Sequence, residues 1–190
     1  GADDNASGSC ALLEVARRLA ARPQKLPRRV VFIAFTAEEL GLLGSAKYVE
    51  QPVFPLEKTV AMYNLDMVGR LTDNTLTVYG VGTSPTFKDS VNKFNESREF
   101  RLVLKPEGQG PSDQTSFYLK KIPVLHFFTG THSDYHRPSD DWDKINIEGM
   151  SRIAGMVEDL VVQTATNEKR PEYIEVKGHA QIARAGNRPY

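Results

Sequence analysis

Residues 29–36, Arg-Val-Val-Phe-Ile-Ala-Phe-Thr, form a continuous β-branched and aromatic run. A run without polar alternation marks a strand covered on both faces, and such strands belong to parallel sheets flanked by helices. Residues 58–66 (KTVAMYNLD) and 75–81 (TLTVYGV) repeat the signal, as does the apolar stretch 124–128 (VLHFF) after Pro123. Residues 101–105 add a short alternating strand. Helical patterns fill the gaps. Residues 9–22 read as an amphipathic helix with Leu12, Leu13, Ala16, Leu19 and Ala20 as its apolar stripe and Ser7 or Ser9 as its cap. A short helix near 42–51 ends at Pro52, another over 85–97 opens with Pro85, a third lies near 112–120, and the last spans 146–166. This alternation predicts an α/β fold with helices on both faces of a central sheet.

A length of 190 residues suits one domain. We expect residues 1–166 to form it. Residues 167–190, rich in Arg, Lys, Gly and Pro with a β-like patch at 173–176, read as a tail or interdomain linker. The net charge of zero gives no global field favouring nucleic acid or anionic membrane. No apolar run approaches the roughly 20 residues that span a bilayer. The single cysteine, Cys10, precludes an internal disulfide, and nothing near it suggests an activated thiolate. The chain starts at Gly1 with neither an initiator Met nor a signal peptide, so we expect the true start to lie elsewhere.

The chemistry concentrates at predicted strand ends, where open α/β sheets bind ligands. Glu38 and Glu39 follow run 29–36, Asp66 ends run 58–66, and Asp3-Asp4 precede the first helix. The loop 130–144 leaves run 124–128 with His132 and His136. Carboxylates crowded at one edge repel unless a cation holds them. Carboxylate and imidazole donors without thiolates suit zinc in a catalytic site, or manganese or cobalt. A carboxylate beside the ligands can serve as general base. Blander readings exist. Asp3 to Ser7 also makes an ordinary helix N-terminus, and Glu38-Glu39 an ordinary solvated turn. A lone carboxylate at Asp66 is harder to place in an apolar strand. His126 reads as a hydrogen-bonded core residue and His179 as exposed.

Four segments in order, GADDNASG at 1–8, FTAEELGLLGS at 35–45, NLDMVG at 64–69 and SDYHRPSDDWDKI at 133–145, resemble the co-catalytic di-zinc exopeptidases. That family includes bacterial aminopeptidases, glutamate carboxypeptidases and glutaminyl cyclases, and the resemblance covers residues 1 to about 165. It implies a mixed, mostly parallel central sheet and a zinc metallo-exopeptidase, foremost an aminopeptidase acting on peptide substrates. It further implies that Asp4 bridges two zinc ions, that Glu39 ligates one and Asp66 the other, and that His136, in the His-x-Pro-x-Asp-Asp pattern, is the last ligand. Glu38 is then the general base, Tyr135 a donor to the tetrahedral intermediate, and Asp113 a support near the site. The Asp4–Asn5 peptide is expected cis. Export is common in such a family.

One family ligand, a His in a His-x-Asp segment upstream of GADDNASG, has no counterpart here. We therefore expect the N-terminal strands to be missing, one zinc to bind well through Asp4, Glu39 and His136, and activity to be weak or absent. His132 is a substitute ligand by position only. Lys169 to Tyr173 and the ending Arg188-Pro189-Tyr190 resemble a stretch that joins some relatives to a PDZ-type module. Carboxypeptidase or glutaminyl cyclase activity, and a non-catalytic interaction domain, are the competing expectations.

Overall fold

A computed structural model describes residues 1–176. His179 and the Arg188-Pro189-Tyr190 ending lie outside the described residues. Four strands, β1 (Met62–Leu65), β2 (Thr75–Tyr79), β3 (Arg101–Lys105) and β4 (Val124–Phe128), form one sheet in the order β1-β4-β2-β3. β1 pairs parallel with β4, β2 parallel with β3, and β2 antiparallel with β4. The sheet is thus mixed and mostly parallel. Five helices accompany it: α1 (Gly8–Ala20), α2 (Leu43–Glu50), α3 (Phe87–Asn95), α4 (Gln114–Tyr118) and α5 (Ile147–Thr166).

The period of two along β4 sorts the core. Leu125 and Phe127 face one side with Leu76 and Val78 of β2, Val15 of α1, Val91 of α3 and Ile153, Met156 and Leu160 of α5. Val124 faces the other side, with Val49 of α2 and Phe117 and Tyr118 of α4. Helices therefore cover both faces, and β4, buried along its length, is the interior strand that its unbroken apolar sequence requires. No helix among the described residues is long and apolar enough to cross a membrane.

The run 29–36, expected as a doubly covered strand, is not a strand. It is without regular structure, and Val31 and Phe32 are 44% and 37% exposed. No backbone group of residues 29–35 pairs with another among the described residues. A strand exists only through the ladder it joins, and β-propensity without a neighbour is not enough. β1 is an edge of the sheet, and a cavity of about 490 Å³ separates it from the run, walled by Val31, Phe32 and Phe35 on one side and Val60, Ala61 and Met62 on the other.

Smaller departures have local reasons. The predicted strand 58–66 begins only at Met62, because a 3-10 turn occupies Leu56–Lys58. α1 turns Ala11 and Val15 inward and leaves Leu13 69% exposed, so its buried stripe is rotated from the one expected, letting it lie against α5. Neither Ser7 nor Ser9 caps it through its side chain. Asn5 Oδ1 accepts the Gly8 amide at 3.0 Å instead. The residues after α5 do not form the β-like patch as a strand, yet they are held to the body. The Ile174 amide donates to the Thr83 carbonyl at 2.9 Å, and the Tyr173 and Tyr118 rings lie 5.6 Å apart.

Candidate metal centre

The segment before α1 is fixed to the end of β1. Asn5 Nδ2 donates to the Leu65 carbonyl at 3.1 Å, and Asn5 Oδ1 accepts the Met67 amide at 3.2 Å. Gly8 sits so close that a Cβ there would lie 2.2 Å from the Leu65 carbonyl oxygen. Asp3 is fully buried. Its Oδ1 accepts the Gly69 amide at 2.7 Å and the Ser7 hydroxyl at 3.0 Å. The Asp4–Asn5 peptide is cis, as expected from the sequence. These contacts carry Asp4 to the same edge as Asp66.

Glu38 and Glu39 arrive by a different route from the one the sequence suggested. No strand ends there. A turn does the positioning, with the Gly41 and Leu42 amides donating to the Glu38 carbonyl at 3.0 and 2.8 Å and the Leu43 amide to Ala37 at 3.2 Å. α2 begins directly after it. His136 and Tyr135 come from the loop after β4, with their rings stacked at 3.8 Å between centroids.

These elements bring three donors together. His136 Nε2 lies 3.1 Å from Asp4 Oδ2 and 2.8 Å from Glu39 Oε1. One donor atom from each of Asp4, Glu39 and His136 lies within 4.8 Å of the others. Asp66 and Glu38 line the same cleft, of about 290 Å³, together with Pro111 and Tyr135. Ser112 Oγ donates to Asp66 Oδ2 at 2.6 Å.

The carboxyls of the cleft raise one another. Burial, then repulsion from Asp66, Glu39, Asp113 and Asp4, pushes Glu38 up to about 7. Burial and then Glu39 raise Asp4. Burial raises Asp66 against the opposing Ser112 hydrogen bond, and burial raises Asp113 against a bond from Ser45. Tyr135 is raised by burial and by Glu39, which keeps its phenol a donor. Two carboxylates and one imidazole are a donor set that would suit a zinc ion. Glu38 lies in the same cleft, with its carboxyl raised into the neutral range.

The remaining sequence candidates fall elsewhere. His132 Nε2 meets the buried Asp3 Oδ2 at 3.1 Å and stands outside the three-donor group. His126 is a core residue as expected, stacked on Tyr79 at 5.5 Å. Burial pulls it down to about 4. Cys10 is exposed. Sequence reading missed Ser112, Arg70 and the work of Asp140. Asp140 Oδ2 accepts the backbone amides of Asp3 and Asp4 at 2.9 and 3.1 Å. Its only signal was its place in the His-x-Pro-x-Asp-Asp pattern, which does not say what it grips.

The sequence profile of Peptidase family M28 matches residues 1–161. The chain belongs to peptidase family M28. Aminopeptidase YwaD of Bacillus subtilis is 32% identical over 96% of the chain and 42% of its own length. Two solved structures carry the same fold. The zinc aminopeptidase BSAP from Bacillus subtilis superimposes with a TM-score of 0.77 at 31% identity, over 92% of this chain and 45% of its own. The aminopeptidase from Aneurinibacillus sp. strain AM-1 gives 0.75 at 32%, over 92% and 41%. The chain thus spans less than half the length of each.

Proposed function

We propose that this chain carries the zinc-binding and proton-transferring part of an exopeptidase that removes N-terminal residues from peptides. The observation that carries the reading is the convergence of Asp4, Glu39 and His136 within 4.8 Å beside a Glu38 pushed up to about 7. Asp4, Glu39 and His136 hold one zinc. Asp66 lines the same cleft and would be a donor to a second ion. Zinc bound there supplies Lewis acidity toward water and the scissile carbonyl. Glu38 takes the proton of the attacking water and passes it to the leaving amine. The Tyr135 hydroxyl donates to the developing oxyanion. Residues 1–166 are the catalytic domain, with residues 173–174 packed against it.

A substrate panel tests the reading: peptide amides with a free N-terminus, peptides ending in glutamate, and peptides beginning with glutamine, each offered to the zinc-loaded chain. Release of the N-terminal residue from the first set supports an aminopeptidase. Preferential release of C-terminal glutamate, or cyclisation of glutamine, would overturn it in favour of that activity.

A further inference from the structure

Four chain segments far apart in sequence deliver the proposed metal ligands, and three of them, those of Asp4, Asp66 and His136, share one ionic contact network. Arg70 stands four residues after Asp66, and its side chain is 13% exposed. Its Nη2 donates to Asp140 Oδ1 at 2.9 Å and approaches Asp134 Oδ2 at 3.4 Å. Asp140, with a side chain 1% exposed, turns its other oxygen to the amides of Asp3 and Asp4. Asp134 immediately precedes Tyr135 and His136. Its Oδ1 accepts from Ser139 Oγ at 2.7 Å and Lys144 Nζ at 2.8 Å, which closes the loop on itself. One guanidinium therefore reaches the Asp4 segment through Asp140 and the His136 segment through Asp134, from a backbone continuous with Asp66. None of these three side chains belongs to the three-donor group.

We propose that Arg70 and Asp140 are positioning residues for the metal centre, an ionic hub that sets the mutual placement of Asp4, His136 and Asp66. The inference rests on the zinc reading given above. Removing partners that orient metal ligands commonly lowers metal affinity about 10- to 100-fold. Arg70 and Asp140 contact each other directly, so their removal is expected to be non-additive.

The test compares the 190-residue chain with Arg70→Met, Asp140→Asn and the double variant. Zinc affinity is measured by chelator competition, the visible absorption of the cobalt(II)-loaded chains is recorded, and urea unfolding of the metal-free chains is followed. The hub predicts that each single variant loses about 10- to 100-fold in zinc affinity and shifts the cobalt spectrum, and that the double variant is no worse than the worse single. A merely structural role lowers the metal-free unfolding midpoint and leaves the cobalt spectrum unchanged, which overturns the proposal. So do single variants within about twofold of wild type, or losses that add in the double. Where Arg70→Met does not fold, the near-isosteric Asp140→Asn decides by the same criteria. A wild-type chain that takes up no zinc sinks the metal reading itself and this inference with it, whereas equal binding by all variants sinks only the hub.

Discussion

Val31 and Val124 carry the same side chain in two runs of similar composition, and replacing each by alanine separates their environments. Val124 is wholly buried at the start of β4, while Val31 is 44% exposed beside the cavity. At about 0.8 kcal/mol per buried carbon, the two removed from Val124 represent about 1.6 kcal/mol of transfer energy. The void left between β4 and α4 adds about 1 kcal/mol at roughly 24 cal/mol per Å³. Val124→Ala should thus cost about 2–3 kcal/mol. Only a little over half of the Val31 side chain leaves water, and the position opens onto a cavity, so Val31→Ala should cost about 1 kcal/mol or less. Urea denaturation reads the difference. With a slope of roughly 1–3 kcal/mol per M, the Val124 variant should unfold about 1 M or more below wild type, and the Val31 variant much nearer to it, both with unchanged slopes. Equal losses would refute the reasoning, because they would place residues 29–36 inside the sheet.

The site and core give three other expected outcomes. In the intact enzyme, Glu38→Gln should retain zinc while hydrolysis of a peptide amide falls about 10²- to 10⁴-fold, measured as kcat; near-normal turnover rejects Glu38 as the base. Ser112→Ala removes the donor to Asp66 and the acceptor of the Asn64 amide (2.7 Å), so we expect a loss of about 1–3 kcal/mol in denaturant unfolding, and no loss would mean water replaces the hydroxyl. Tyr63 is pushed up to about 12 by burial, against a bond to Thr164. The folded phenol keeps its proton where the unfolded one, near 10, gives it up, so this contribution is intact below pH 10 and is lost between pH 10 and 12. Unfolding midpoints of Tyr63→Phe should fall less steeply than wild type over that window; parallel curves would contradict the assignment.

The parts legible in sequence were those fixed by local pattern. β4 reads from five consecutive residues because its interior place demands apolar side chains on both faces. α5 reads from a long helical period bounded by Asn146, whose side chain accepts the Gly149 amide. Asp4, Glu38, Glu39, Asp66 and His136 were singled out as a group by the four ordered segments that resemble the exopeptidase family, while charge placement alone left a helix N-terminus at Asp4 and a solvated turn at Glu38-Glu39 open. What escaped depends on contacts between distant segments. Run 29–36 has strand composition but no ladder to join, and composition alone cannot report a missing neighbour. Ser112 and Arg70 are ordinary in their own windows, and acquire meaning only when folding places them against Asp66 and Asp140. His132 looked like a ligand candidate by spacing, and only the structure shows that a buried aspartate, Asp3, engages it.

The most direct test of the zinc reading is the metal content of the 190-residue chain after stripping and reconstitution, measured by elemental mass spectrometry alongside His136→Ala. The account predicts close to one zinc per wild-type chain and its loss in the variant, because the imidazole completes the group formed with Asp4 and Glu39. No zinc in the wild type, or the same zinc in both proteins, would contradict it.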